Sequence, residues 1–299
     1  MNIPVRTAGQ VQTGSAPQAE PVRAAPVVVP AKPYGAGSLA GAGATLLILG
    51  GIGWVAFTND NLGWPTFAAY FFSWPILTGV GMTLVLTFIS MAVAVILGTL
   101  LAIMRMSHNP ILRTSAAGYA WFFRGIPVLV QLIFWYNIAL LFPTISLGVP
   151  GMKPLVSVQT NAVVTPFVAA ILGLGLSMGA YMAEVVRGGI ISVGAGQLEA
   201  LRSLGMTRAQ GMRRVILPQA MRVVLPPMGN ELIGLLKWTS LASVIAVSEV
   251  MHEASLVYAR NFQVIPLLLV AAAWYLLITT LFSFGQEKLE QHFGRSERH

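Results

Sequence analysis

Six windows of this chain, near Leu39–Phe57, Ile76–Met104, Ile126–Phe142, Pro166–Val186, Met228–Val250 and Ile265–Gly285, are strongly apolar and carry few charges. Hydrocarbon offers no partner to a backbone N–H or C=O, so a segment crossing about 30 Å of it must satisfy those groups internally, which a helix of about 20 residues does. The windows therefore predict an all-α, polytopic membrane bundle of about six transmembrane helices. The window from Ile76 to Met104 exceeds the minimum length, so that helix tilts or protrudes. Composition agrees: 56% of residues are hydrophobic and 9% charged, and mean hydropathy is +0.73, whereas soluble domains carry roughly 25% charged residues.

The net charge of +8 does not point to nucleic acid, because the Lys and Arg residues lie between apolar spans rather than on one soluble face. With no cysteine, thiolate metal sites and cysteine nucleophiles are excluded, and His108, His252, His292 and His299 are too scattered to form a metal site. No metal, cofactor or catalytic residue is expected. Alternating sides along the chain, one side collects Arg6, Arg23, Lys32, Arg105, Arg113, Arg124, Arg187, Arg202, Arg208, Arg213, Arg214, Arg222, Lys288, Arg295 and Arg298, and the other only Lys153 and Arg260. A bias of 15 to 2 predicts that both termini and the loop after the fourth span are cytoplasmic.

Four regions follow. Residues 1–37 are rich in Pro, Ala, Val and Gly without apolar periodicity, which predicts a disordered cytoplasmic tail. Residues 38–58 form an added N-terminal transmembrane helix, 76–285 the main membrane domain with a cytoplasmic loop at 195–218, and 286–299 a cytoplasmic C-terminal tail. In the loop, Leu198, Leu201 and Leu204 recur at helical spacing, giving one apolar ridge, with Glu199 in the first turn where the helix dipole favours an acid. Gly205 can take positive φ and end that helix. Thr207 with Gln210 three residues on matches a capping box that restarts a helix, and Leu217 before Pro218 closes the unit. Two readings of this knob remain on physical grounds: an amphipathic segment lying on anionic lipid, or a grip for another protein.

The run from Glu199 to Pro218 resembles the cytoplasmic signature of permease subunits of binding-protein-dependent ABC importers, with Glu199, Ala200, Gly205, Leu217 and Pro218 at matching positions and Leu201 and Val215 as apolar exchanges. Arg124–Gln131, Gly179–Ile190 and Leu225–Glu231 are similar to the polar amino acid type of these permeases, over roughly residues 76 to 290. The resemblance implies a type I importer fold in a bacterial plasma (inner) membrane. It also implies a cytoplasmic ATPase subunit, an extracytoplasmic substrate-binding protein and a second permease, identical or homologous. Leu198, Glu199, Ala200, Leu201, Leu204, Gly205, Leu217 and Pro218 would then dock the ATPase. No Gly-Lys pair occurs in the chain, so a GxxxxGK[ST] phosphate loop is absent and ATP is held elsewhere. Trp238 stands where this type of permease usually has a small polar residue.

For the translocation path, Gln131, Tyr181, Glu184, Asn230, Glu231, Lys237 and Ser240 are the candidates. On one helix, Asn230, Gly234, Lys237 and Ser248 would fall within about 60° of one another, with Ser240 beside them. A lysine at that depth costs on the order of 2.5 to 3.5 kcal/mol, so Lys237 needs a partner. That partner is either a structural acid, with Glu184 a candidate, or a substrate carboxylate. Pro226 and Pro227 are expected at a helix entry. The alternative function is an ion-coupled secondary amino acid carrier, which would want inverted repeats and several buried ionisable groups.

Overall fold

The computed structural model describes residues 36–147, 154 and 156–294 and, within these, all side chains except those of 36–39, 147, 195, 198, 202, 208 and 292–294. Residues 1–35 of the expected disordered tail lie outside the described residues, as do 295–299. Two units divide at Thr58–Asn59. The first contains α1 (Ala36–Thr58), an uncharged helix whose stretch from Ala40 is long and apolar enough to cross a membrane.

The second unit is a helical bundle with one small hairpin. A short α2 (Trp64–Phe71) leads into α3 (Trp74–Arg105), whose 32 residues span about 48 Å at 1.5 Å per residue. Then come α4 (Pro110–Gly125), α5 (Val128–Tyr136), strands β1 (Thr144–Leu147) and β2 (Val156–Gln159), the single turn α6 (Thr160–Val163) and α7 (Pro166–Ser192). The chain continues through α8 (Ala195–Ser203), α9 (Arg208–Gly211), α10 (Leu217–Trp238), α11 (Val250–Asn261) and α12 (Val264–Gly294). Helices α1, α3, α7 and α12 are each long and apolar enough to span, and two bent pairs bring the number of spans among the described residues to six if each pair counts as one.

The central contact is α3 against α7. A Cβ on Gly98 would lie 2.4 Å from Met182 Cβ, and one on Gly179 would lie 2.9 Å from Leu97 Cδ2, so these glycines let the two backbones close on each other. Around this seam Leu86, Leu132, Leu174, Met178, Met182 and Leu235 are fully buried. A second cluster joins the start of α3 to α11 and α12 through Ile76, Val250, Leu267 and Val270. At its edge Trp274 stacks on Phe71 at 5.1 Å and donates its indole N–H to the Phe71 carbonyl at 2.8 Å.

Two expected spans are not continuous helices. Of the window Ile126–Phe142 only Val128–Tyr136 is α-helix, and it meets α4, which lies ahead of the window, at 98°. Pro127 forces Ile126 into extended backbone, φ −99° and ψ 130°, which ends α4. Past Asn137 the chain leaves the helix and forms an antiparallel hairpin with Ile145 opposite Val158. The window Met228–Val250 is also broken: α10 begins earlier, at Leu217, and ends at Trp238, a 3-10 stretch covers Thr239–Ile245, and α11 follows at a 43° bend. Pro226 and Pro227 therefore sit inside a helix rather than at its entry, and the Gln286 amide of α12 donates to the Pro226 carbonyl at 3.2 Å. At the C-terminal end, α12 continues to Gly294, past the expected span boundary at 285.

Candidate functional site

The knob after α7 is built from end signals that close in the expected way and one that does not. Met206 N donates to Leu201 O at 3.0 Å around Gly205, whose φ is +70°, which is the Schellman ending of α8. Thr207 N donates to Gln210 Oε1 at 3.0 Å and Gln210 N to Thr207 Oγ1 at 3.3 Å, a reciprocal capping box at the start of α9. Pro218, however, does not close the unit. A π-turn over Met212–Ile216 joins α9 to α10, and Pro218 lies in the first turn of α10. The widened turn gives the proline ring the room that the carbonyl four residues earlier denies it in a regular helix. α9 and α10 are one rod.

The leucine ridge also divides. Leu201 is 8% exposed and packs with Val193, Ile216 and Ala220, so it pins the knob together instead of facing outward. A Cβ on Gly211 would meet Leu201 Cδ1 at 2.9 Å. Leu204 is 75% exposed. Glu199, Ala200, Gly205, Leu217 and Pro218 are exposed too, while the side chain of Leu198 lies outside the described ones. Because α8 starts at Ala195, Glu199 falls in mid-helix rather than in the first turn.

On α10, Asn230 and Lys237 are exposed, Glu231 is half-buried, and a Cβ on Gly234 would meet open space. Ser240 lies beyond the helix end and donates to the Lys237 carbonyl at 2.8 Å. Ser248 leaves the expected stripe because the helix stops at Trp238. Trp238 meets Tyr181 edge to face at 5.7 Å. Gln131 is buried and structural: its amide donates to Phe123 O at 3.0 Å and Ile126 O at 2.9 Å.

Glu184 does not partner Lys237. Its Oε1 accepts from Arg105 at 2.5 Å, and its Oε2 accepts from Arg187 Nε at 3.0 Å and Nη2 at 2.8 Å, with Arg124 Nη1 at 3.9 Å. Three arginines from α3, α4 and α7 thus converge on one carboxylate. Sequence reasoning missed this cluster. The i,i+3 spacing of Glu184 and Arg187 was its one local signal. Among the described residues, no group of three His, Cys, Asp or Glu side chains is placed to hold a metal ion.

A family model described as binding-protein-dependent transport system inner membrane component matches residues 94–295. The chain is 45% identical over 241 residues to the arginine transport system permease protein ArgU of Corynebacterium glutamicum, covering 80% of this chain and 75% of that one. It is 37% identical over 217 residues to the probable amino-acid permease protein YxeN of Bacillus subtilis, covering 72% and 90%. Among solved structures, an amino acid ABC transporter with histidines is 34% identical with a TM-score of 0.63, covering 73% of this chain and 94% of that one. An inward-facing MetNI methionine ABC transporter shares the fold alone, at 18% identity and a TM-score of 0.57 over 74% and 96%. With the helical bundle in place, these matches make the chain a member of the binding-protein-dependent inner membrane components, that is, a multi-pass ABC permease subunit that leaves ATP hydrolysis to a partner and is not itself an enzyme.

Proposed function

We propose that this subunit forms half of the translocation path of an ATP-driven importer for polar amino acids, and that a separate cytoplasmic ATPase drives it through the Glu199–Pro218 knob. The observation that carries this reading is the knob's construction: α8, ended by Gly205, is pinned through buried Leu201 onto Ile216 and Ala220, and α9 runs through the π-turn into α10 without a break. A push on Leu204 and its exposed neighbours is delivered to the helix that bears Asn230, Glu231 and Lys237. Rocking between inward-open and outward-open states requires that ATP-bound and ATP-free partners bind the two states with different free energies. The names of the relatives support the amino acid class, ArgU pointing to arginine.

In this reading an extracytoplasmic binding protein delivers the amino acid, a second copy or a homologous permease completes the path, and lipid surrounds the pair. Both termini and the knob are cytoplasmic, in the inner membrane. Asn230, Glu231, Lys237 and Ser240 face the path, with Tyr181 at its edge against Trp238, and the Lys237 ammonium, which has no ion pair among the described residues, meets the substrate carboxylate. Glu184 and Gln131 serve this path from behind, as an ionic and an amide brace.

The test is reconstitution with the ATPase and binding protein in proteoliposomes. L204D is expected to abolish ATPase attachment and nucleotide-driven accumulation while leaving the thermal midpoint of the isolated permease unchanged. Uptake that survives without an ATPase and follows an ion gradient would overturn the reading in favour of a secondary carrier.

A further inference from the structure

We propose that the groove beside Glu184 is a binding site for the phosphate of an anionic phospholipid, drawn from the leaflet on the knob's side of the membrane.

The argument begins with hydrogen-bond valence. Arg105 and Arg187 occupy both carboxylate oxygens of Glu184, at 2.5 to 3.0 Å, whereas Arg124 stands 3.9 Å away, beyond bonding distance. The Arg124 guanidinium lies 5.2 Å over the Tyr181 ring, which holds it in place by a cation–π contact. It makes no hydrogen bond among the described residues, and its side chain is 46% exposed. A guanidinium has five donors in a planar fork that matches an oxyanion in two-point fashion. Here that fork is positioned but unfilled. Three guanidiniums against one carboxylate also leave two positive charges at the site, a surplus that Glu231, which attracts Arg124 from α10, only partly offsets.

The walls identify the kind of oxyanion. The groove encloses about 490 Å³ between Arg105, Arg124, Glu184 and Tyr181 at its polar end and Ala117, Ala120, Trp121 and Gly125 along α4. Small residues make a floor that an acyl chain can lie against, and Trp121, 79% exposed, stands at the rim like the tryptophans that mark membrane interfaces. Phe122 beside it is exposed as well. A free amino acid would match the charged end but leave the apolar slot uncovered; a phospholipid matches both. Depth agrees, since Arg105 is the last residue of α3 and Glu184 lies eight residues before the end of α7, about 12 Å along the helix. Basic pockets between helices at this level suit anionic head groups.

The site rests on the membrane reading, not on the identity of the cargo. The permease–ATPase complex, purified in neutral detergent, is incubated with phosphatidylglycerol or phosphatidylcholine, and retained lipid is counted by native mass spectrometry. R124Q is expected to lower phosphatidylglycerol retention about five-fold, the worth of one arginine near a charged membrane surface, and R124K less, with phosphatidylcholine unchanged. A second measurement uses the unaltered site: brominated phosphatidylglycerol should quench Trp121 emission, taken as wild type minus W121F, several-fold more than brominated phosphatidylcholine. This arm decides the matter if R124Q fails to assemble. Equal quenching by the two lipids, or wild-type retention by a folded R124Q complex, overturns the proposal. Displacement of phosphatidylglycerol by a millimolar mixture of the protein amino acids also overturns it, and assigns the groove to the substrate carboxylate instead.

Discussion

The two broken spans are broken by different means and repaired by opposite chemistry. Between α4 and α5 the interruption leaves carbonyls without their helical partners, and the group that fills them is a donor, the Gln131 amide. Ahead of α11 the interruption exposes N–H groups, and the group that fills them is an acceptor, the Glu249 carboxylate, bonded by Met251 N at 2.9 Å and His252 N at 2.7 Å. The Tyr275 hydroxyl donates to the same carboxylate at 2.5 Å. The end of a helix wants donors and the start of one wants acceptors, and inside a bundle water cannot substitute. The comparison teaches that each polar side chain buried at these bends is chosen by which half of the peptide group has lost its mate.

Breaking the comparison at its stronger side should give the largest effect. E249A removes the cap from two half-buried N–H groups and one acceptor from the Tyr275 hydroxyl, so thermal or denaturant unfolding in detergent is expected to show a loss of about 3 kcal/mol. Next, Q131L should cost about 2 kcal/mol by leaving two carbonyls unpaired. Q131E should cost more than Q131L, because an ionised carboxylate offers those carbonyls no donor; if Q131E is the milder change, the donor argument is wrong. At a third interruption, Gly205, the backbone repairs itself through the Schellman bond, and G205A should cost about 1 kcal/mol for a non-glycine residue at positive φ. K237M lies away from all three repairs. It should leave unfolding unchanged and weaken substrate affinity of the intact transporter; unchanged affinity would remove Lys237 from the carboxylate role.

How much of this was legible in the sequence depended on whether the signal was local. Gly205, Thr207 and Gln210 state the knob's geometry within a few residues of one another, and the structure follows them. Hydropathy located the membrane-crossing stretches but not their continuity, since a window average is indifferent to Pro127 or to the 3-10 stretch at Thr239–Ile245. Glu184 stands as a candidate partner of Lys237 on sequence alone because the sequence cannot show that Arg105, 79 residues earlier, reaches it first. Leu201 and Leu204 look alike on a helical projection, and only the tertiary neighbours Val193 and Ile216 turn one inward. Pro218 was read as a stop because the widening of the turn before it depends on backbone geometry that no residue type announces.

That wide turn has a further consequence for how the subunit tolerates change. Because it accommodates an additional residue relative to ordinary winding, removing one residue between Met212 and Ile216 would let the rod rewind as a regular helix with Asn230, Glu231 and Lys237 near their present azimuth, whereas removing one from the regular turns of α10 ahead of Asn230 would swing them by about 100°. The wide turn is thus where the rod tolerates a lost residue, while the same loss further along α10 would leave the docking surface intact yet misdirect what it steers.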